Sequence, residues 1–173
     1  MVTITISGTP GSGKSTVAEI LKQKLDFEYV YSGMIFRKLA EEHHMSLSEF
    51  GEYCEKNPKI DKKLDEKQIQ FLKKDDIIVE GRLAGWLAYK NNISALKVML
   101  DADVETRAKR IVKREQGDIN KKKEEMLIRE ESERKRYKKY YNIDIKDKSI
   151  YDIVINTADK TPEEIVEIIL KKM

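Results

Sequence analysis

Gly8-Thr9-Pro10-Gly11-Ser12-Gly13-Lys14-Ser15 constrains this chain more than any other stretch. It fits the pattern Gly-x4-Gly-Lys-Ser/Thr, and its flanks suit that pattern. Val2-Thr3-Ile4-Thr5-Ile6-Ser7 is rich in β-branched residues and reads as a short buried strand, and Thr16-Val17-Ala18-Glu19-Ile20-Leu21 has helical apolar spacing. Strand, glycine-rich loop and helix together make a phosphate loop. The glycines let the backbone form a concave nest of N–H groups around phosphate oxygens. The helix that follows adds its positive N-terminal end. Gly8, Thr9, Pro10, Gly11, Ser12, Gly13, Lys14, Ser15 and Thr16 are thus the expected nucleotide-phosphate residues. Lys14 is expected to reach the β- and γ-phosphates of ATP, and the Ser15 hydroxyl to bind Mg2+.

Five apolar runs read as strands: Val2–Ser7, Phe27–Tyr31, Asp76–Glu80, Ala95–Leu100 and Asp152–Ile155, with helical patterns between them. This alternation predicts an α/β fold of the phosphate-loop NTPase type: a five-stranded parallel sheet with helices on both faces. Ligands of such sheets bind beyond the carboxyl ends of the strands. One domain is expected over residues 1–173, with its core at about 1–32, 76–114 and 146–173. Residues 33–75 and 115–145 read as insertions: several short helices, then one very charged helix. At the chain's end, Thr161-Pro162-Glu163-Glu164 is an N-cap, a proline at the first helical position and a pair of first-turn acids.

No apolar run approaches the 20 or so residues of a membrane span, and the first strand begins where a leader would lie. Cys54 is the only cysteine, which excludes an internal disulfide and a cysteine metal cluster. The expected setting is the cytoplasm, with no membrane partner. The formal net charge of +3 is too small to argue for nucleic acid. The kind of cation says more, because 26 lysines accompany only eight arginines. Arginine supplies a rigid bidentate fork that lysine cannot, so each arginine is a candidate for a specific task.

The phosphate loop is shared by switches, motors and small kinases. The guanine-binding Asn-Lys-x-Asp and the Asp-x-x-Gly switch of GTPases are both missing from the sequence, as is the paired acid of a motor ATPase, with Glu80 the nearest candidate. A second phosphate site is legible instead. In Tyr31-Ser32-Gly33-Met34-Ile35-Phe36-Arg37, Arg37 is suited to clamp an acceptor phosphate, with Ser32 hydrogen-bonding the same ligand. Ser32 is equally suited to cap a helix. In Gly81-Arg82-Leu83-Ala84-Gly85-Trp86, Arg82 falls at the ligand-binding edge, and Trp86 reads as core packing.

The Ser-Gly-x-x-Phe-Arg and Glu-Gly-Arg-x-x-Gly-Trp segments resemble cytidylate kinases, most closely the short archaeal type. The resemblance extends through Leu100-Asp101-Ala102, Arg107-Ala108-Lys109-Arg110, Tyr140-Tyr141-Asn142-Ile143-Asp144 and Tyr151 to Thr157. It implies transfer of the ATP γ-phosphate to CMP and dCMP. It gives Arg129-Glu130-x-x-Glu133-x-x-Arg136 a role: Arg129 and Arg136 approach phosphates, and Glu133 approaches the ribose. Both acids of that segment are longer by a methylene than the family's aspartates. Arg110 and Arg114 resemble the lid-base arginines of nucleoside monophosphate kinases, one over adenine and one at the transferring phosphate. Lys14, Arg82, Arg129 and Arg136 are the implied catalytic set. Residues 115–145 become a lid over ATP, residues 33–75 the part that closes on CMP, and Asn156 to Lys160 the loop beside adenine. A monomer is expected.

His43-His44 lack metal-spaced partners, Cys54 reads as a packed side chain, and Tyr137, Tyr140 and Tyr141 read as helix packing. Asp101 sits near the phosphates as a possible acid behind Mg2+. A non-catalytic nucleotide sensor does not account for Arg37 and Arg82 at a second site, and two other rival functions remain. One is a small kinase for UMP, AMP or a non-nucleotide acceptor. The other is a nucleic-acid-associated ATPase, resting on nine cations and five glutamates over residues 121–139. Five acids would repel a phosphate backbone, so nucleic acid is not an expected partner.

Overall fold

The computed structural model describes residues 2–173. Strands run at Thr3–Gly8 (β1), Glu28–Tyr31 (β2), Ile77–Glu80 (β3), Leu96–Asp101 (β4) and Ile153–Asn156 (β5). Helices run at Lys14–Leu25 (α1), Ser32–Glu42 (α2), Leu47–Lys56 (α3), Pro58–Leu72 (α4), Ala84–Lys90 (α5), Val104–Glu115 (α6), Ile119–Tyr141 (α7) and Pro162–Leu170 (α8). All five expected strands are present, each displaced by no more than two residues at either end. They form one parallel sheet in the order β2-β3-β1-β4-β5.

Side-chain alternation along the strands divides the core in two. On one face Ile4 and Ile6 of β1, Ile78 of β3, and Val98 and Leu100 of β4 pack against Val17 and Leu21 of α1 and Val166 of α8. On the other, Val30, Ile77 and Val79 pack against α2, α4 and α5. The polar side of β1 is used as well: the Ser7 hydroxyl oxygen accepts the Gly85 N–H at 3.0 Å and fixes the start of α5. Helix α8 begins as its sequence implies, with the Thr161 hydroxyl accepting the Glu164 N–H at 3.2 Å.

This strand order sets the place of the site. From β1 the chain leaves across one face through α1, while from β3, its neighbour, it leaves across the other through α5. The loops after β1 and β3 therefore open a crevice at the carboxyl edge of the sheet. Residues 33–75 hold α2, α3 and α4 on the β2 side of that crevice. Over residues 115–145, α7 packs on α6 through Ala108, Ile111 and Met126. Its C-terminal end, through Tyr137 and Tyr141, joins the main core, so this charged helix bridges both halves of the crevice. Among the described residues no helix is long and apolar enough to cross a membrane.

Leu21 is fully buried at the centre of the α1 face. Leu21→Ala is expected to lower stability by about 2–5 kcal/mol with an unchanged denaturant m-value. Urea unfolding followed by circular dichroism checks this; a loss below about 1 kcal/mol would place that residue outside the core.

Candidate active site

The loop from Gly8 to Ser15 curls at the end of β1, and two of its glycines are required by geometry. Gly11 has φ +76°, and a Cβ there would lie 2.7 Å from the Arg107 carbonyl oxygen. Gly13, at φ +93°, is the N-cap of α1 and offers no side chain to cap it. The first N–H groups of α1 are therefore left pointing into the loop, where phosphate oxygens would satisfy them. Lys14 curls back, its ammonium donating to the Thr9 carbonyl at 3.0 Å. Burial depresses its pKa to about 8, with Arg82 and Arg129 lowering it further and Glu80 and Glu133 opposing them.

Glu80 was not among the sequence-derived site residues, yet the structure places it there. It closes β3, in register with Ile6 of β1. Its carboxylate accepts from the Ser15 hydroxyl at 3.2 Å and from the Tyr29 hydroxyl. The signal for it was an apolar strand ending in an acid. Ser15 and Glu80 together fit Mg2+, which keeps most of its waters and takes few protein oxygens beside the phosphates. Among the described residues no cluster of three or more His, Cys, Asp or Glu offers a full metal cage. Asp101 does not join this centre. Its carboxylate accepts from the Ala102 N–H at 3.0 Å and pairs with Lys148 at 2.5 Å, which turns it to the far side of the β4 end.

Three arginines meet here, one from the end of β3 and two from α7. Arg82, following β3, is mostly buried and pairs with Glu133 of α7. Arg129, one helical turn before Glu133, donates to the same carboxylate at 3.2 Å. Glu133, only 5% exposed, is thus committed to two guanidinium groups. A ribose contact had been expected of this carboxylate; in the structure it is directed at the two arginines. Arg136 donates to Asp61 of α4 at 3.4 Å, tying α7 to the helices after β2.

On the α1 side a pocket is lined by Gly11, Gly13, Arg110, Arg114, Thr157 and Lys160. Arg110 is fixed there, donating to the Thr157 hydroxyl at 2.9 Å and its carbonyl at 2.7 Å. Arg114 is exposed and paired with Glu115. On the α2 side a cavity of 370 Å³ has Ser32 and Phe36 of α2, Asp65 and Gln68 of α4, and Arg129 and Tyr137 of α7 in its walls. Arg37 is not in those walls. It lies exposed, its guanidinium over the Tyr31 ring at 5.5 Å from the centroid and bonded to the Tyr31 hydroxyl at 2.5 Å. The phosphate loop lines the pocket and Arg129 the cavity, and Lys14 lies near enough to Arg82 and Arg129 to feel both charges.

Arg107 was also missed as a site residue. It is 4% exposed and donates to the Ala102 carbonyl at 2.9 Å and to the Pro10 carbonyl of the phosphate loop at 3.4 Å. It also pairs with Glu130 of α7. It locks loop, α6 and α7 together. Its sequence, in a run of lysines and arginines, looks like any solvated helix face.

A sequence model of the cytidylate kinase-like family matches residues 3–159. The chain belongs to that family. Cytidylate kinases similar to it include that of Archaeoglobus fulgidus, 46% identical over 97% of this chain and 92% of the relative. That of Methanocaldococcus jannaschii is 42% identical over 96% of this chain and 94% of its own length. Among solved structures, shikimate kinase from Aquifex aeolicus superposes with a TM-score of 0.59 at 21% identity, covering 99% and 95% of the two chains. An uncharacterized protein from Eubacterium ventriosum superposes at 0.74 with 18% identity, covering 99% and 98%. These last likenesses establish the fold alone: a parallel sheet with helices on both faces. This cytidylate kinase-like chain therefore carries its family's motifs on the carboxyl edge of that sheet.

Arg107→Ala leaves Glu130 without its buried partner, and a loss of about 3 kcal/mol is expected. Chemical denaturation measures it, and a variant within 0.5 kcal/mol or so of the parent would show that the pair is only superficial.

Proposed function

We propose that this protein transfers the γ-phosphoryl group of ATP to the phosphate of CMP, giving ADP and CDP, with dCMP as a second acceptor. The observation that carries this reading is the juxtaposition of two nucleotide-sized recesses across one basic junction. The adenine side is the pocket lined by Gly13, Arg110, Thr157 and Lys160, and the acceptor side is the cavity between α2, α4 and α7. The acceptor phosphate is already an anion, so no general base is needed. The task is electrostatic: two anions must meet in line, away from water. Lys14, the loop N–H groups, Arg82, Arg129 and Arg136 supply the charge. Ser15 and Glu80 are the residues that would hold Mg2+, which would supply further neutralisation of phosphate charge. Arg37 closes on the acceptor phosphate by leaving the Tyr31 ring, and α7 closes on ATP.

This reading makes the protein a cytoplasmic monomer that works on nucleotides. A coupled ADP-release assay over CMP, dCMP, UMP, AMP and shikimate tests it. CMP is expected to be the best acceptor, with dCMP next; a best rate on shikimate, or ATP hydrolysis without any acceptor, overturns it.

Lys14 gives a pH prediction. Bound phosphate favours its charged form, so at pH 8, where half of it is neutral in the free protein, ATP binding takes up protons. Affinity for ATP then weakens as pH rises past about 8. Calorimetric titrations in two buffers of different ionisation enthalpy report the uptake, and Lys14→Ala should abolish it. Uptake that persists in that variant belongs to another group.

Arg37→Lys keeps the charge and loses the fork. The kcat/KM for CMP should fall on the order of tenfold or more, with the KM for ATP little changed. Equal impairment for both substrates, or for neither, would remove Arg37 from the acceptor site.

A further inference from the structure

Helix α4 turns one face into the acceptor cavity: Asp61, Leu64, Asp65 and Gln68 recur at helical spacing along it. Two of these residues have no task in the phosphoryl transfer derived above. Gln68 is only 5% exposed, and its Oε1 has no hydrogen-bond partner in the protein. It reaches the end of β3, since a Cβ added to Gly81 would lie 2.8 Å from that oxygen, and Ser32 lies against the same glycine. One turn earlier, Asp65 accepts a hydrogen bond from the Tyr141 hydroxyl through Oδ2. A buried amide oxygen without a partner is costly unless a ligand supplies a donor, and the half-buried carboxylate beside it faces the same cavity with one oxygen unpaired.

We propose that Asp65, backed by Gln68, reads the exocyclic amine of the acceptor base and so selects a 4-aminopyrimidine over a 4-oxopyrimidine. The assignment rests on the reading of this cavity as the acceptor nucleotide site. The chemistry separates the two residues. An amide turns over and offers either oxygen or N–H₂, so Gln68 alone accommodates a base of either kind. A carboxylate only accepts. With Oδ2 taken by Tyr141, Asp65 meets the N4 amine of cytosine as a donor. At the same place uracil presents the lone pairs of O4, and the two acceptors repel. Burial raises the Asp65 pKa to about 6, the mark of a carboxylate short of donors, and still leaves it ionised at neutral pH. Tyr141 comes from the last turn of α7, so the base reader is held by the helix that also carries Arg129 and Arg136. The rings of Phe36 and Tyr137 supply flat apolar walls for a pyrimidine.

The experiment measures kcat/KM for CMP, for UMP and for the CMP analogue that lacks the 4-amino group, with the wild-type protein, Asp65→Asn and Gln68→Met. The wild type is expected to favour CMP over UMP and to lose on the order of tenfold or more on the amine-free analogue. Asp65→Asn offers N–H₂ to O4, so its CMP-to-UMP ratio should fall about tenfold or more, and its penalty for the missing amine should shrink. Gln68→Met should weaken CMP use while keeping the preference over UMP. The KM for ATP should stay constant in both variants, which a merely structural role would not guarantee. An unchanged CMP-to-UMP ratio in Asp65→Asn overturns the proposal alone. If that variant does not fold, the wild type decides: equal use of CMP and the amine-free analogue overturns the proposal, and discrimination against the analogue supports it. A wild type that phosphorylates no cytidine nucleotide overturns the functional reading and this one with it.

Discussion

Like charge gathered at one crevice is the constraint on which this structure depends. Lys14, Arg82 and Arg129 stand close enough that each arginine lowers the affinity of Lys14 for its proton. A second pair of residues holds them together: Glu80 beneath the phosphate loop, and Glu133 between the two arginines. Glu133 accepts from Arg82 and Arg129, as phosphate oxygens would on the proposed function. Glu133 is the buried member of both pairs, and leaving it without a partner is costly; on the proposed function the two arginines would turn from it to phosphate oxygens when an anion is bound. The same requirement favours two nucleotides over one.

The scaffold delivers this arrangement through connectivity. Because β1 and β3 are neighbours whose following helices diverge, the phosphate loop and Gly81-Arg82 open side by side. Helix α7 then crosses both loops. One turn pairs with Arg107, the next with Arg82, the next with Asp61 and the last with Asp65, so a single helix touches the loop, the transfer centre and the acceptor wall. A movement of α7 is felt at all of these contacts. Its apolar contacts are confined to Met126 near its start and to the tyrosines at its end.

The sheet was legible in the sequence because β-branched runs and glycine turns are local signals. The phosphate loop was legible because its geometry needs glycine at fixed spacing. Arg82 was found by its place just after an apolar run, and Arg129 and Arg136 came with the family resemblance. What the sequence hid was pairing across distance. Glu80, Arg107 and Asp65 are acids and bases in a chain that is 38% charged, and nothing local separates a buried partner from a solvated one. Arg37 shows the converse. Its motif marks the acceptor edge, but its side chain rests on Tyr31 outside the cavity wall, a choice that Tyr31 makes and the motif does not. Asp101 looked placed for a metal until Lys148, remote in sequence, took its carboxylate.

The exchange of Glu133 for phosphate is the central claim, and a crystal structure with ADP, Mg2+ and CMP bound tests it most directly. The account predicts CMP in the cavity between α2, α4 and α7. It predicts phosphate oxygens within hydrogen-bond distance of Arg82 and Arg129, with both guanidinium groups released from Glu133. CMP bound elsewhere, or both arginines still paired with Glu133 beside filled nucleotide sites, would contradict it.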